Sequence, residues 1–154
     1  MGNIVAYLIV FGVSMLPIVE LRGAIPYGAV YGLPLDITFI LALLGSMVPV
    51  PFILLFLKPV FAWLKKRKFM HRFVSWVERK GEKGAKKVRE SRGITWALYA
   101  FVAIPLPGTG VWTGSLIATV LELPFKRAIW PILAGDITAG IIMLILSAAG
   151  VAIF

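Results

Sequence analysis

Three short stretches carry side chains that could do chemistry in an otherwise apolar chain. The first is Glu20-Leu21-Arg22-Gly23, a carboxylate and a guanidinium two residues apart between apolar runs. Charges inside a membrane are costly and usually line an ion or substrate path. Glu20 is a candidate proton carrier, and Arg22 a candidate holder of an anionic group such as a phosphate. The second is Pro105-Leu106-Pro107-Gly108-Thr109-Gly110. Proline removes amide donors and glycine permits tight or left-handed turns. The amides that such a break frees, with a following helix N-terminus, suit an anion or polar ligand. Thr109 and Thr113 add hydroxyls. The Gly-Thr-Gly stretch is not a nucleotide-phosphate loop, since no Gly-Lys-Ser/Thr follows. The third is Asp136, beside Gly135 within the last apolar run. It is a candidate for proton or ion coupling, with Arg22 as its candidate partner.

Other chemistries are poorly served. The chain has no cysteine, and His71 is its one histidine. Zinc sites, disulfides and His-based triads are therefore not expected. Neither an enzyme, nor a metal, nor a cofactor is predicted. The net charge of +9 would suit nucleic acid, but residues 58–93 hold 13 of the 16 Lys+Arg. That block sits between apolar runs, where it reads as a topology signal, so no nucleic-acid partner is expected. The Met-Gly-Asn start lacks a basic segment, and no cleaved signal peptide is predicted.

The elements that must position these residues follow from hydropathy. Of 154 residues, 60% are hydrophobic and 15% charged, and the mean hydropathy is +0.93. Soluble domains run near a quarter charged, so a multi-pass protein of the cell membrane is expected. Apolar runs cover residues 4–19, 24–35, 37–57, 94–121 and 128–154. The run 37–57 is long enough to cross ~30 Å of hydrocarbon, with kinks expected at Pro49 and Pro51. Within 58–93, Phe61, Trp63, Leu64, Phe69, Phe73, Val74, Trp76 and Val77 alternate with basic clusters. This predicts an amphipathic helix on an anionic cytoplasmic face. Trp63, Trp96 and Trp130 read as interfacial residues and Trp112 as packing.

The chain also repeats itself at an offset of 90 residues. Leu16-Pro17 aligns with Leu106-Pro107, Val30 with Val120, and Leu33-Pro34 with Leu123-Pro124; Leu43, Gly45 and Leu54 align with Leu133, Gly135 and Leu144. Both halves run apolar leg, Pro/Gly break, short leg, Leu-Pro, long span. Such repeats are a signature of transporter folds. If 58–93 and Lys126-Arg127 both face the cytoplasm, 94–121 must return to its own side. Each of its legs reaches only ~20 Å at ~1.5 Å per residue, short of the ~30 Å core. The segment should therefore turn within the membrane at Pro105–Gly110 as a re-entrant hairpin, and the first half should do the mirror image at Pro17–Gly23.

The predicted fold is thus an all-α integral membrane protein with one membrane domain. It is an inverted repeat, each half a re-entrant hairpin plus a full transmembrane helix. Repeat one is about 3–57, the basic cytoplasmic linker about 58–93, and repeat two about 94–154, with both termini outside. The rival is four plain spans near 3–19, 36–57, 95–117 and 128–152, which strands Lys126 and Arg127 outside. Broken backbone at membrane depth is tolerated only inside protein or beside a watery cavity, so paired hairpins point to a central binding site.

Glu20-Leu21-Arg22-Gly23-Ala24-Ile25-Pro26, together with Pro105-Leu106-Pro107-Gly108-Thr109-Gly110-Val111-Trp112-Thr113-Gly114, resembles the small multidrug export proteins, a family distantly similar to the DedA/VTT membrane proteins. The resemblance covers nearly the whole chain. It implies the inverted hairpin-plus-span fold and a transport role. DedA relatives are linked to proton-dependent transport and to flipping of polyprenyl-phosphate lipids, and some VTT relatives scramble phospholipids. Thr109 stands where DedA proteins often carry an acid, and Trp112 stands at the repeat position of Arg22. The charged set is then Glu20, Arg22 and Asp136. The expected function is a secondary transporter of a small or amphiphilic substrate, ion- or proton-coupled. The alternatives are a lipid or polyprenyl-phosphate flippase or scramblase, and a structural membrane protein recruiting partners through the basic helix. Expected partners are membrane lipids, a small-molecule or lipid-phosphate substrate, and a second copy in a homodimer.

Overall fold

A computed structural model of the chain describes residues 2–69, 71, 72, 75, 76, 79 and 91–150. Among the described residues every regular element is a helix: α1 (Gly2–Ser14), α2 (Glu20–Val30), α3 (Leu35–Met47), α4 (Pro49–Lys65), α5 (Gly93–Ala103), α6 (Val111–Val120) and α7 (Phe125–Ala148). Of the basic segment 58–93, expected as an amphipathic helix, residues 58–65 form the end of α4, and 70, 73, 74, 77, 78 and 80–90 lie outside the described residues. His71 is exposed, and the Arg67 guanidinium lies 4.8 Å from the centre of the Trp63 ring.

Two lengths of helix recur. α3 and α4 together, from Leu35 to Leu64, form a 30-residue apolar rod, and α7 has 24 residues. Both are long and apolar enough to cross a membrane. Only 28% and 39% of their most apolar windows are buried, so most of that apolar surface faces outward. The rod bends at Val48, where Pro49 opens α4; the expected kink is there. The other helices are short, from 10 to 13 residues, or roughly 15–20 Å.

Proline and glycine set the breaks. α5 ends at Ala103 because Pro105 forces Ile104 into extended backbone (φ −73°, ψ 118°). Leu106-Pro107-Gly108-Thr109 then makes a β-turn, closed by the Thr109 amide donating to Leu106 O at 3.3 Å, with Gly108 at φ 84°. Proline followed by a positive-φ glycine is the type II pattern. The first break differs from expectation. α1 stops at Ser14 and the turn occupies residues 15–19, so Glu20 to Gly23 already form the first turn of α2.

The second turn of each half is made twice with the same bonds. Leu33 N donates to Gly28 O and Leu123 N to Ala118 O, both at 2.9 Å, while Gly32 N and Glu122 N donate to Ala29 O and Thr119 O. Gly32 (φ 68°) and Glu122 (φ 52°) both take the left-handed conformation that closes a helix in this way. Pro34 and Pro124 follow, each one residue before a long helix.

Two apolar clusters hold the helices. Val10, Leu21, Ile25 and Ala42 of the first half gather with Ala139 and Met143 from the far end of α7. Val102, Val111, Ala118 and Ile132 of the second half gather with Val50 and Leu54 of α4. Each half thus packs the distal part of its long helix against the other half's hairpin. Glycine permits the closest crossings. A Cβ on Gly45 would overlap Ser14 and the Phe11 carbonyl, and one on Gly135 would lie 2.8 Å from Tyr99 O and from Val102 Cβ. Gly135→Ala should cost about 1–3 kcal/mol of overpacking, read as a lower melting temperature in detergent. Gly12→Ala should not lower it, since nothing lies within 4 Å of that Cβ.

Candidate functional site

The two Pro/Gly breaks meet tip to tip. Arg22, on the first turn of α2 and almost fully buried, turns its guanidinium toward the second hairpin. Its Nη1 donates to the Glu20 carboxylate at 2.5 Å. Its Nη2 reaches Val102 O (2.8 Å), Thr109 O (2.7 Å) and Ile104 O (3.2 Å). The last carbonyls of a helix have no partner within it, and those at the broken end of α5 receive the cation that suits a helix C-terminus.

Glu20 performs the complementary task. Its carboxylate accepts the Trp112 amide at 3.2 Å, in the first turn of α6, with the Val111 amide alongside. A helix N-terminus presents unpaired amides and the positive end of the dipole. One hairpin therefore supplies an anion to the start of α6 and a cation to the end of α5. In return the Trp112 indole donates to Met15 O in the first hairpin's turn at 3.0 Å. Trp112, expected only to pack, ties the two tips through both its backbone and its ring.

The approach is tight and strained. A Cβ on Gly110 would collide with the Glu20 carboxylate, so glycine is required there for contact. Glu20 itself adopts φ 49°, a left-handed conformation uncommon outside glycine. Such residues cost of the order of 1–3 kcal/mol and cluster at functional sites. Thr109 spends its hydroxyl on the turn, against Ile104 O at 2.7 Å and Leu106 O at 2.9 Å. Pro107 and Gly108 are exposed at the tip, Pro105 and Thr113 are half-buried, and Gly23 packs against Val19 on α2.

Asp136 is fully buried on α7. Its partner is not Arg22, which is committed to Glu20 and the α5 carbonyls. Ser46 of α3 donates to Asp136 Oδ2 at 2.5 Å, and Asp136 Oδ1 has no partner. Glu20 and Arg22 lie within electrostatic reach of it. Ser46 carries no charge and escaped sequence reasoning, yet it stands 90 residues before Asp136, the offset of the repeat. Glu20 and Gly110 are related by the same offset and also meet.

Breaking a buried ion pair from one side typically costs about 3–5 kcal/mol, whereas neutralising both partners costs much less. Arg22→Met should therefore destabilise the detergent-solubilised protein more than the double variant Glu20→Gln/Arg22→Met. Chemical denaturation of both variants measures this; equal losses would mean that the pair contributes nothing.

No curated protein and no solved structure matches the chain. A family model does match, over residues 20–142, and its description is "Putative small multi-drug export protein". The match spans most of the sequence, from Glu20 and Arg22 through the second hairpin and into α7, and the chain belongs to this family of export proteins.

Proposed function

We propose that the chain is a multi-pass transporter of the cell membrane that exports a small or amphiphilic substrate through a site where two re-entrant hairpins meet. In this reading the halves are inverted repeats, the basic segment 58–93 is cytoplasmic, and α1–α2 and α5–α6 enter from opposite sides. The observation that carries it is the exchange at the tips: Glu20 and Arg22 of one hairpin satisfy both broken helix ends of the other. Unpaired backbone cannot face lipid, and four short helices of roughly 15–20 Å are too short to span ~30 Å alone. Membership of an export family supports the transport reading.

The tip contacts suggest how a substrate would act. An anionic or strongly polar group competing for Arg22 would release the carbonyls of Val102, Ile104 and Thr109. The two hairpins would then lose their mutual lock. Asp136, buried beside Ser46 and near the ion pair, is the candidate seat of a coupling cation, the proton being the smallest. Coupling requires that cation binding and substrate binding bias the same two arrangements.

Gradient-driven efflux of a panel of amphiphilic dyes from proteoliposomes tests this. Glu20→Gln, Arg22→Ala and Asp136→Asn should each reduce export at least tenfold, while the exposed Lys58→Ala should not. Lipid redistribution without a gradient, unaffected by Glu20→Gln or Asp136→Asn, would instead establish a scramblase.

A further inference from the structure

The two hairpins are not packed alike. α1 and α2 lie along each other, whereas α5 and α6 diverge around a cavity of about 160 Å³. The cavity wall is wholly apolar and includes Ile94, Leu98 and Phe101 on α5, with Ile117 and Leu121 on the other side. It runs from the base of the hairpin, at Ile94 and Leu123, part of the way toward the tip. The repeat accounts for the difference. Tyr27 and Tyr31 stand at the positions of Ile117 and Leu121, their rings 4.4 Å apart, and Tyr27 packs into the first cluster. The second hairpin has no aromatic ring at either position.

The mouth of this cleft carries three basic residues, Arg92, Lys126 and Arg127, against one carboxylate, Glu122, between the lining residues Leu121 and Leu123. Arg92 immediately precedes α5, and Lys126 lies in the first turn of α7, both exposed. Arg127 Nη2 donates to Ser91 O at 3.0 Å, which draws the two basic segments together at the hairpin base. Trp96 and Trp130 are exposed near the same end, where indoles favour the headgroup level of a bilayer. An apolar slot opening among cations at headgroup depth matches a ligand with an apolar tail and an anionic head.

We propose that the cleft between α5 and α6 is a lipid site, holding one acyl chain of an anionic phospholipid whose phosphate lies against Arg92 and Lys126. The chain takes the place that Tyr27 holds in the other half, and it props α5 and α6 apart beside the Arg22 contacts. The site rests on the membrane placement proposed above and not on transport.

Photocrosslinking of the full chain tests it, in vesicles containing phosphatidylglycerol that carries a diazirine on one acyl chain. Cross-links should concentrate on Ile94, Leu98, Phe101, Ile117 and Leu121, at several times the yield on the outward faces of α3 and α4. Phosphatidylcholine with the same probe should give several-fold less, and Arg92→Ala/Lys126→Ala should remove that preference. Ile117→Tyr/Leu121→Tyr, which copies the first hairpin, should abolish the concentrated labelling. The export-impaired Glu20→Gln variant should cross-link like the unaltered chain, which separates this site from the transport reading. Even labelling over all outward apolar faces of the unaltered chain would overturn the site, whatever the variants do. Equal labelling by the two lipids would overturn the headgroup assignment.

Discussion

A guanidinium removed from water must find acceptors, and a broken helix must find donors and acceptors for its freed ends. In this protein each supplies most of what the other needs, with Arg22 Nε alone of the guanidinium nitrogens left without a partner. Arg22 is held by the Glu20 carboxylate, by Val102 O and Ile104 O where α5 terminates, and by Thr109 O in the turn that follows. Glu20 is held by Arg22 and by the Trp112 amide, where α6 begins. The desolvation penalty for each ion is several kcal/mol, so neither charge would persist there without the Pro105–Gly110 break. The break, in turn, would leave its backbone groups unpaired without the charges. The tip-to-tip packing of the hairpins, the glycine at position 110 and the left-handed backbone at Glu20 all follow from this exchange.

The 90-residue offset explains why no charge faces a second charge at its own repeat position. Positions related by it meet at the centre: Glu20 against Gly110, and Ser46 against Asp136. Two carboxylates facing each other could not both ionise at such a distance. Each acid is instead paired with a small or hydroxyl-bearing counterpart. Arg22 and Trp112, another offset pair, each reach across to backbone carbonyls at the opposite tip. Gly45 and Gly135 permit the close crossings of α3 with α1 and of α7 with α5. The two halves use one backbone plan and divide the chemistry between them.

Much of this was legible in the residue order. Pro105, Pro107 and Gly108 announce their break because proline and positive-φ glycine leave the backbone few alternatives. Leu33-Pro34 and Leu123-Pro124 likewise mark the second turns and the start of each long helix. The first break was placed too late, since residues 15–19 are apolar apart from Pro17 and nothing polar signals that α1 stops at Ser14. Arg22 was assigned to Asp136 by charge alone. The carbonyls that compete for it carry no sequence signature, because every residue has one. Ser46 was overlooked as a lone hydroxyl in an apolar span, though the repeat offset pairs it with Asp136. Ile117 stands at the repeat position of Tyr27, and the cleft it lines between α5 and α6 has no signature in hydropathy.

The claim on which the functional account turns is that α5 and α6 enter and leave the membrane on one side. The chain has no cysteine, so single cysteines at Lys126 and Ala149 can be labelled in intact cells with an impermeant maleimide. The account predicts that Ala149→Cys is labelled from outside, whereas Lys126→Cys reacts only after the membrane is opened. The reverse pattern, with Lys126→Cys labelled and Ala149→Cys protected, would mean four plain spans and would contradict the account.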